Sequence, residues 1–91
     1  MVLSATDFNR VTGRCLVAPV TSTVRGWSFE VPIPHGHGVE GVVLVDQVRA
    51  IDWKARGTRI AGAAPAELLE QVSQILAAIV EFDPTALSVQ V

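Results

Sequence analysis

GRCLVAPVTSTVRGWSFEV, residues 13–31, is the stretch around which the chain is read. Cys15, Leu16, Val17, Ala18 and Val20 form a nearly continuous apolar run, which predicts a strand covered on both faces. Thr21-Ser22-Thr23-Val24-Arg25-Gly26 then brings hydroxyls, a guanidinium and a glycine into one loop. Trp27, Phe29 and Val31 alternate with Ser28 and Glu30, the period of a half-buried strand, so the whole stretch reads as strand, turn, strand. Hydroxyls and Arg donate to phosphate oxygens, and a strand-bounded loop that carries them suits a phosphodiester. Ser, Thr and Gly are also ordinary turn residues, so chemistry alone leaves a plain turn open.

Outward from this stretch, the N-terminal side begins with Met1-Val2-Leu3, a fragment of strand. Ser4-Ala5-Thr6-Asp7 has the composition of a helix start, with Ser4 as the expected cap and Asp7 favoured by the helix dipole. A short helix is predicted over 5–10, closed near Gly13, with Phe8 and Val11 facing the core and Asn9 as a structural hydrogen-bonder.

On the C-terminal side, PIPHGHG (residues 32–38) breaks regular structure. His35 and His37 have no nearby Cys and only distant carboxylates, short of the three or four ligands of a zinc site. Gly41-Val42-Val43-Leu44-Val45 is the strongest strand signal, and Asp46-Gln47-Val48-Arg49-Ala50-Ile51 continues it with alternation. Asp46, Gln47 and Arg49 are polar readers at one end of the sheet, or else Asp46 and Arg49 form an internal pair. Trp53 reads as a core plug in a cationic turn, and Arg59-Ile60-Ala61 as a last short strand.

Pro65-Ala66-Glu67 opens a helix over 65–82, with Pro in the first turn and acid beside it. Leu68, Leu69, Val72, Ile75, Leu76, Ile79 and Val80 form its apolar stripe, and Asp83-Pro84 stops it. The tail over 83–91 is expected to be held by a neighbouring surface or a partner chain.

Ninety-one residues make a single domain, and 49% apolar content is too rich for disorder. No apolar run reaches membrane-spanning length, and a single cysteine, Cys15, fits a reducing cytoplasm and a buried core position. The net charge of −2 argues against a nucleic-acid partner, but its distribution permits one: every Lys and Arg lies before residue 60, allowing a local basic patch. There is no internal repeat, Gly-rich phosphate loop, catalytic Cys/His pair or metal-ligand cluster in the sequence. Any catalysis is therefore expected to need no metal or cofactor and to work by positioning and charge.

The residues taken together resemble the MazF/PemK toxins of toxin–antitoxin modules. The resemblance is carried by Val2-Leu3-Ser4, Phe8-Asn9 with Thr12-Gly13, Ala18-Pro19-Val20-Thr21-Ser22 with Gly26, and Phe29-Glu30-Val31. It continues through Gly41-Val42-Val43-Leu44, Asp46-Gln47-Val48-Arg49, Asp52-Trp53 and Ala55-Arg56-Gly57, co-linear over residues 2–80.

The resemblance implies a mainly β fold with α: a small SH3-like β-barrel with a C-terminal helix, working as a homodimer. Relatives are metal-independent, sequence-specific endoribonucleases that cut single-stranded mRNA in the cytoplasm. A ribose 2′-hydroxyl attacks the adjacent phosphorus, leaving a 2′,3′-cyclic phosphate and a 5′-hydroxyl. A MazE-like antitoxin, acidic and partly disordered, is the implied protein partner.

Two residues carry the family's chemistry, a threonine after the Pro of the second strand and an arginine in an Arg-Pro motif. The threonine matches Thr21, which is thus the expected catalytic residue; Ser22, Thr23, Arg25, Asp46, Gln47 and Arg49 are the expected RNA contacts. The Arg-Pro motif has no counterpart at any matched position. Arg25, the nearest cation, matches a loop lysine, and the barrel is expected to be incomplete at its N-terminus. A second reading is therefore a catalytically impaired, truncated homologue that binds antitoxin or RNA, and a third is an unrelated small barrel that binds a peptide or nucleic acid.

Overall fold

A computed structural model of the chain describes residues 1–58 and 64–80. In chain order these residues form α1 (Thr6–Thr12), β1 (Cys15–Val17), β2 (Val20–Thr21), β3 (Glu30–Pro32), β4 (Val42–Leu44), a 3-10 turn (Val45–Gln47), β5 (Arg49–Ile51), α2 (Trp53–Arg56) and α3 (Ala66–Ile79). The strands make two antiparallel sheets, β1–β5 and β2–β4–β3, and no closed barrel is formed among the described residues. The expected strand after Trp53, Arg59-Ile60-Ala61, and the tail over 83–91 lie outside the described residues.

The apolar run at Cys15–Val20 does not form one strand. Ala18 and Pro19 divide it, and its halves join different sheets: Cys15 faces Ile51 across β1–β5, while Val20 faces Val43 across β2–β4. Proline has no N–H for a ladder, but its carbonyl remains available, and Pro19 accepts the Leu44 N–H at 2.9 Å. Nor is β1 covered on both faces, since Cys15 is buried and Leu16 is exposed.

The expected hairpin is also opened. β2 and β3 do not pair with each other; both flank β4, with Thr21 opposite Val42 and Val31 opposite Val43. Two facts account for this. The loop between them is far longer than the two-residue turns that close a tight hairpin. The most apolar segment, with Val42 and Val43 both buried, takes the central position that covers both its edges. The alternation at residues 27–29 is not strand: Ser28 and Phe29 lie in a turn, Trp27 is exposed, and β3 starts only at Glu30. Pro32 ends β3 at a sheet edge, where its missing donor costs least.

The predicted strand through residues 45–51 breaks as well. After β4 the chain must leave one sheet for the other, and the 3-10 turn makes that crossing before β5 begins at Arg49.

At the N-terminal end, Met1 to Leu3 run beside β1: the Leu3 N–H donates to the Leu16 carbonyl at 2.8 Å and the Ala18 N–H to the Met1 carbonyl at 2.9 Å. The helix α1 buries no residue, and Phe8 and Val11 are exposed, contrary to the sequence expectation. Hydrogen bonds at Asn9 dock it instead. The Trp53 Nε1–H donates to the Asn9 carbonyl at 3.0 Å, and the Ser4 hydroxyl donates to the Asn9 side chain. Ser4 is therefore a cross-link and not the helix cap, which is Ala5; its oxygen also accepts the Leu16 N–H at 2.9 Å. Gly13 closes α1 in the left-handed region, as predicted.

The core is formed by Ala18, Val31, Val43, Val45, Leu68 and Val72. Helix α3 covers it, with Leu68 and Val72 buried and Ile75 and Leu76 packed against the cluster. Leu69, Ile79 and Val80 of the predicted stripe are exposed. Leu69 and Val80 lie about 100–120° around the helix from Leu68, at the rim of the stripe, and Ile79 falls in the last turn. Asp52 caps α2 by accepting the Ala55 N–H at 3.0 Å.

Candidate functional site

Thr21 is the last residue of β2, half-buried where the strand hands over to the long loop. Its hydroxyl oxygen accepts the Thr23 N–H at 3.1 Å, the geometry of a local hydroxyl turn. An oxygen that accepts in this way still has its own proton to donate outward. Behind it, Gly41 lies against the Thr21 backbone with φ of 121°, a conformation and an approach that exclude other side chains.

The other end of the loop is fixed by Glu30, the first residue of β3. Its carboxylate accepts the Gly26 N–H at 2.9 Å and the Arg25 N–H at 3.1 and 3.3 Å to its two oxygens. Gly26 takes φ of 78° at the bend. The loop thus held places the Arg25 guanidinium 5.2 Å from the centroid of the Trp27 ring, within cation–π range. Trp27 in turn sits 5.1 Å from Phe29, the rings tilted by 45°.

Between the two anchors is a cleft of about 310 Å³ lined by Thr21, Thr23, Arg25, Trp27, Glu30, Leu44 and Gln47. Four of the residues expected at the site, Thr21, Thr23, Arg25 and Gln47, are therefore together. Ser22 is exposed beside them. Asp46 precedes Gln47 in the 3-10 turn but does not line the cleft, and Arg49 belongs to the other sheet, opposite Val17. The ion pairs among the described residues are Asp7–Arg10 and His35–Glu40, so the alternative Asp46–Arg49 pair is not formed.

Sequence reading missed Trp27 and Glu30 as parts of the site because both fit the alternation of a predicted strand. The available signal was a carboxylate a few residues after an Arg-Gly bend, placed to accept that bend's free N–H groups. Among the described residues no cluster of three or more His, Cys, Asp or Glu is poised to hold a metal. A larger cavity, about 780 Å³, opens among Val17, Val20, Val43, Ile51, Trp53 and Leu68; its walls are mainly apolar and offer a phosphate little.

Residues 1–80 match the family described as PemK-like, MazF-like toxin of type II toxin-antitoxin system. The chain belongs to this family. Among relatives of the MazF-like chain, the endoribonuclease toxin MazF of Escherichia coli K12 is 45% identical over 69 residues, covering 75% of this chain and 61% of the relative. The endoribonuclease toxin ChpB of the same strain is 42% identical over 85 residues, covering 89% and 72%. The chain thus spans about three fifths of the length of the E. coli MazF it matches. In structure it is similar to the MazE–MazF crystal structure from Deinococcus radiodurans, with a TM-score of 0.87 and 40% identity over 90% of this chain and 80% of that one. No helix among the described residues is long and apolar enough to cross a membrane.

Proposed function

We propose that this MazF-like chain is the toxin of a toxin–antitoxin module and a metal-independent, sequence-specific endoribonuclease acting on single-stranded mRNA. The observation that carries the reading is the Thr21 hydroxyl, half-buried at the wall of a cleft that also contains the Arg25 guanidinium. In the reaction the ribose 2′-oxygen bonds to the adjacent phosphorus and loses its proton. The bond from phosphorus to the 5′-oxygen breaks, and that oxygen takes up a proton, giving a 2′,3′-cyclic phosphate and a 5′-hydroxyl.

Negative charge grows on the non-bridging oxygens as the phosphorus becomes five-coordinate. A donor already aimed at that place lowers the barrier without reorganising. Thr21 suits this role because its lone pair is engaged by the Thr23 N–H while its proton has no acceptor among the described residues. Arg25 supplies charge for the RNA backbone, with Thr23 and Gln47 beside it and Ser22 at the rim. Asp46 and Arg49, away from the cleft, extend the contact surface along the strand.

The E. coli relatives are named endoribonucleases, and the Deinococcus neighbour is a MazE–MazF complex, which supports a MazE-like antitoxin as partner. The protein acts as a homodimer in the cytoplasm, where its substrate is found. The test is to incubate purified protein with a library of single-stranded RNA and map the ends. Cyclic-phosphate ends that vanish with Thr21→Ala support the enzyme; RNA bound and left whole supports a binding module instead.

A further inference from the structure

The loop that closes the cleft has more order than a connection between two short strands requires. Its backbone is tied at Thr23 by the Thr21 hydroxyl and at Arg25 and Gly26 by the Glu30 carboxylate. What these ties hold in place is an aromatic ring at the surface. Trp27 is 46% exposed and lines the cleft, whereas Trp53 is half-buried with its Nε1–H committed to the Asn9 carbonyl. The indole is met by a flat cation, Arg25, and flanked by Phe29.

We propose that Arg25 and Trp27, pinned by Glu30, form a subsite for one unpaired nucleobase on the wall of the Thr21 cleft. This rests on the RNA-cleaving reading and deepens it. Flat aromatic rings and guanidinium planes are the surfaces on which splayed bases stack. Stacking of this kind is worth roughly ten-fold or more in affinity per base. It is indifferent to which base is stacked, because every base has a π-face. The subsite therefore adds affinity and holds the strand with its phosphate at Thr21, while base identity is read elsewhere. Prior ordering of the loop by Glu30 removes part of the entropy cost of gripping a flexible strand.

The test compares the full chain with Trp27→Ala and Trp27→Phe, using single-stranded RNA as substrate and a pool of 2′-O-methyl oligonucleotides, which lack the attacking hydroxyl, as binding probe. Expected for Trp27→Ala are a KM raised about ten-fold, kcat changed far less, and the same cleavage sequence. Trp27→Phe should recover most of the affinity. Tryptophan emission should be quenched by the probe in the parent and much less in Trp27→Phe, where Trp53 is the remaining indole. A folded Trp27→Ala protein with unchanged KM overturns the subsite, as does quenching that persists undiminished in Trp27→Phe. If RNA is cut with Thr21-dependent ends but Trp27→Ala is without effect, only the subsite fails. If the parent neither binds the probe nor cuts RNA, the subsite and the underlying function fall together.

Discussion

Gly41 and Thr21 are in backbone contact: a Cβ built on Gly41 stands 2.8 Å from the Thr21 carbonyl carbon, and nearer still to its oxygen. The placement of the candidate catalytic hydroxyl therefore depends on a residue that carries no side chain and lies twenty positions away. Because Gly41 also adopts φ of 121°, Ala there meets both steric overlap and an unfavourable backbone. Gly41→Ala should cost on the order of 1–3 kcal/mol in stability, and should lower RNA cleavage even below the unfolding midpoint. Urea denaturation paired with a cleavage assay on the folded fraction measures both.

Glu30 should behave as a positioning residue. Its carboxylate holds two backbone N–H groups of the loop and forms no ion pair among the described residues, so its removal acts through loop order. Glu30→Ala is expected to raise KM more than it lowers the melting temperature. Glu30→Gln, which keeps an acceptor oxygen, should restore part of the loss.

The Arg25 guanidinium should show its role in the salt dependence of binding. Each phosphate contact to a single strand contributes roughly 0.7 to the slope of log affinity against log salt. Arg25→Ala should reduce that slope by about one contact's worth, read from titrations of the 2′-O-methyl pool at several salt concentrations.

Removal of a core side chain tests the packing of α3. Leu68 is 3% exposed within the main cluster, and Leu68→Ala should cost about 2–5 kcal/mol. Leu69→Ala, at the exposed rim of the same helix, should cost far less, because little cavity forms there. Thermal or urea unfolding of the two variants side by side measures the difference.

Helix α3 was legible in the sequence because its apolar residues repeat at the helical period, and β4 because Val42, Val43 and Leu44 make a continuous apolar run. Pairing was not legible. The run through Cys15 to Val20 reads as one strand by hydropathy, yet it divides at Ala18 and Pro19, where proline has no N–H for a ladder, and its halves pair with β5 and β4. Phe8 and Val11 are apolar but face outward, because α1 is docked through Asn9, Ser4 and Trp53 by hydrogen bonds that no hydropathy pattern records. In the site, hydroxyls and a guanidinium announced Thr21, Thr23 and Arg25. Glu30 and Trp27 stayed hidden because alternation assigned them to a strand that begins only at Glu30.

The most direct measurement is of the ends left on a single-stranded RNA after incubation with the parent protein and with Thr21→Ala, at equal folded concentration. Attack by the ribose 2′-hydroxyl with Thr21 beside the phosphorus predicts 2′,3′-cyclic phosphate and 5′-hydroxyl ends from the parent, formed on the order of a hundred-fold more slowly by the variant. Cleavage by Thr21→Ala at the parent's rate, or ends bearing a 5′-phosphate, would contradict it.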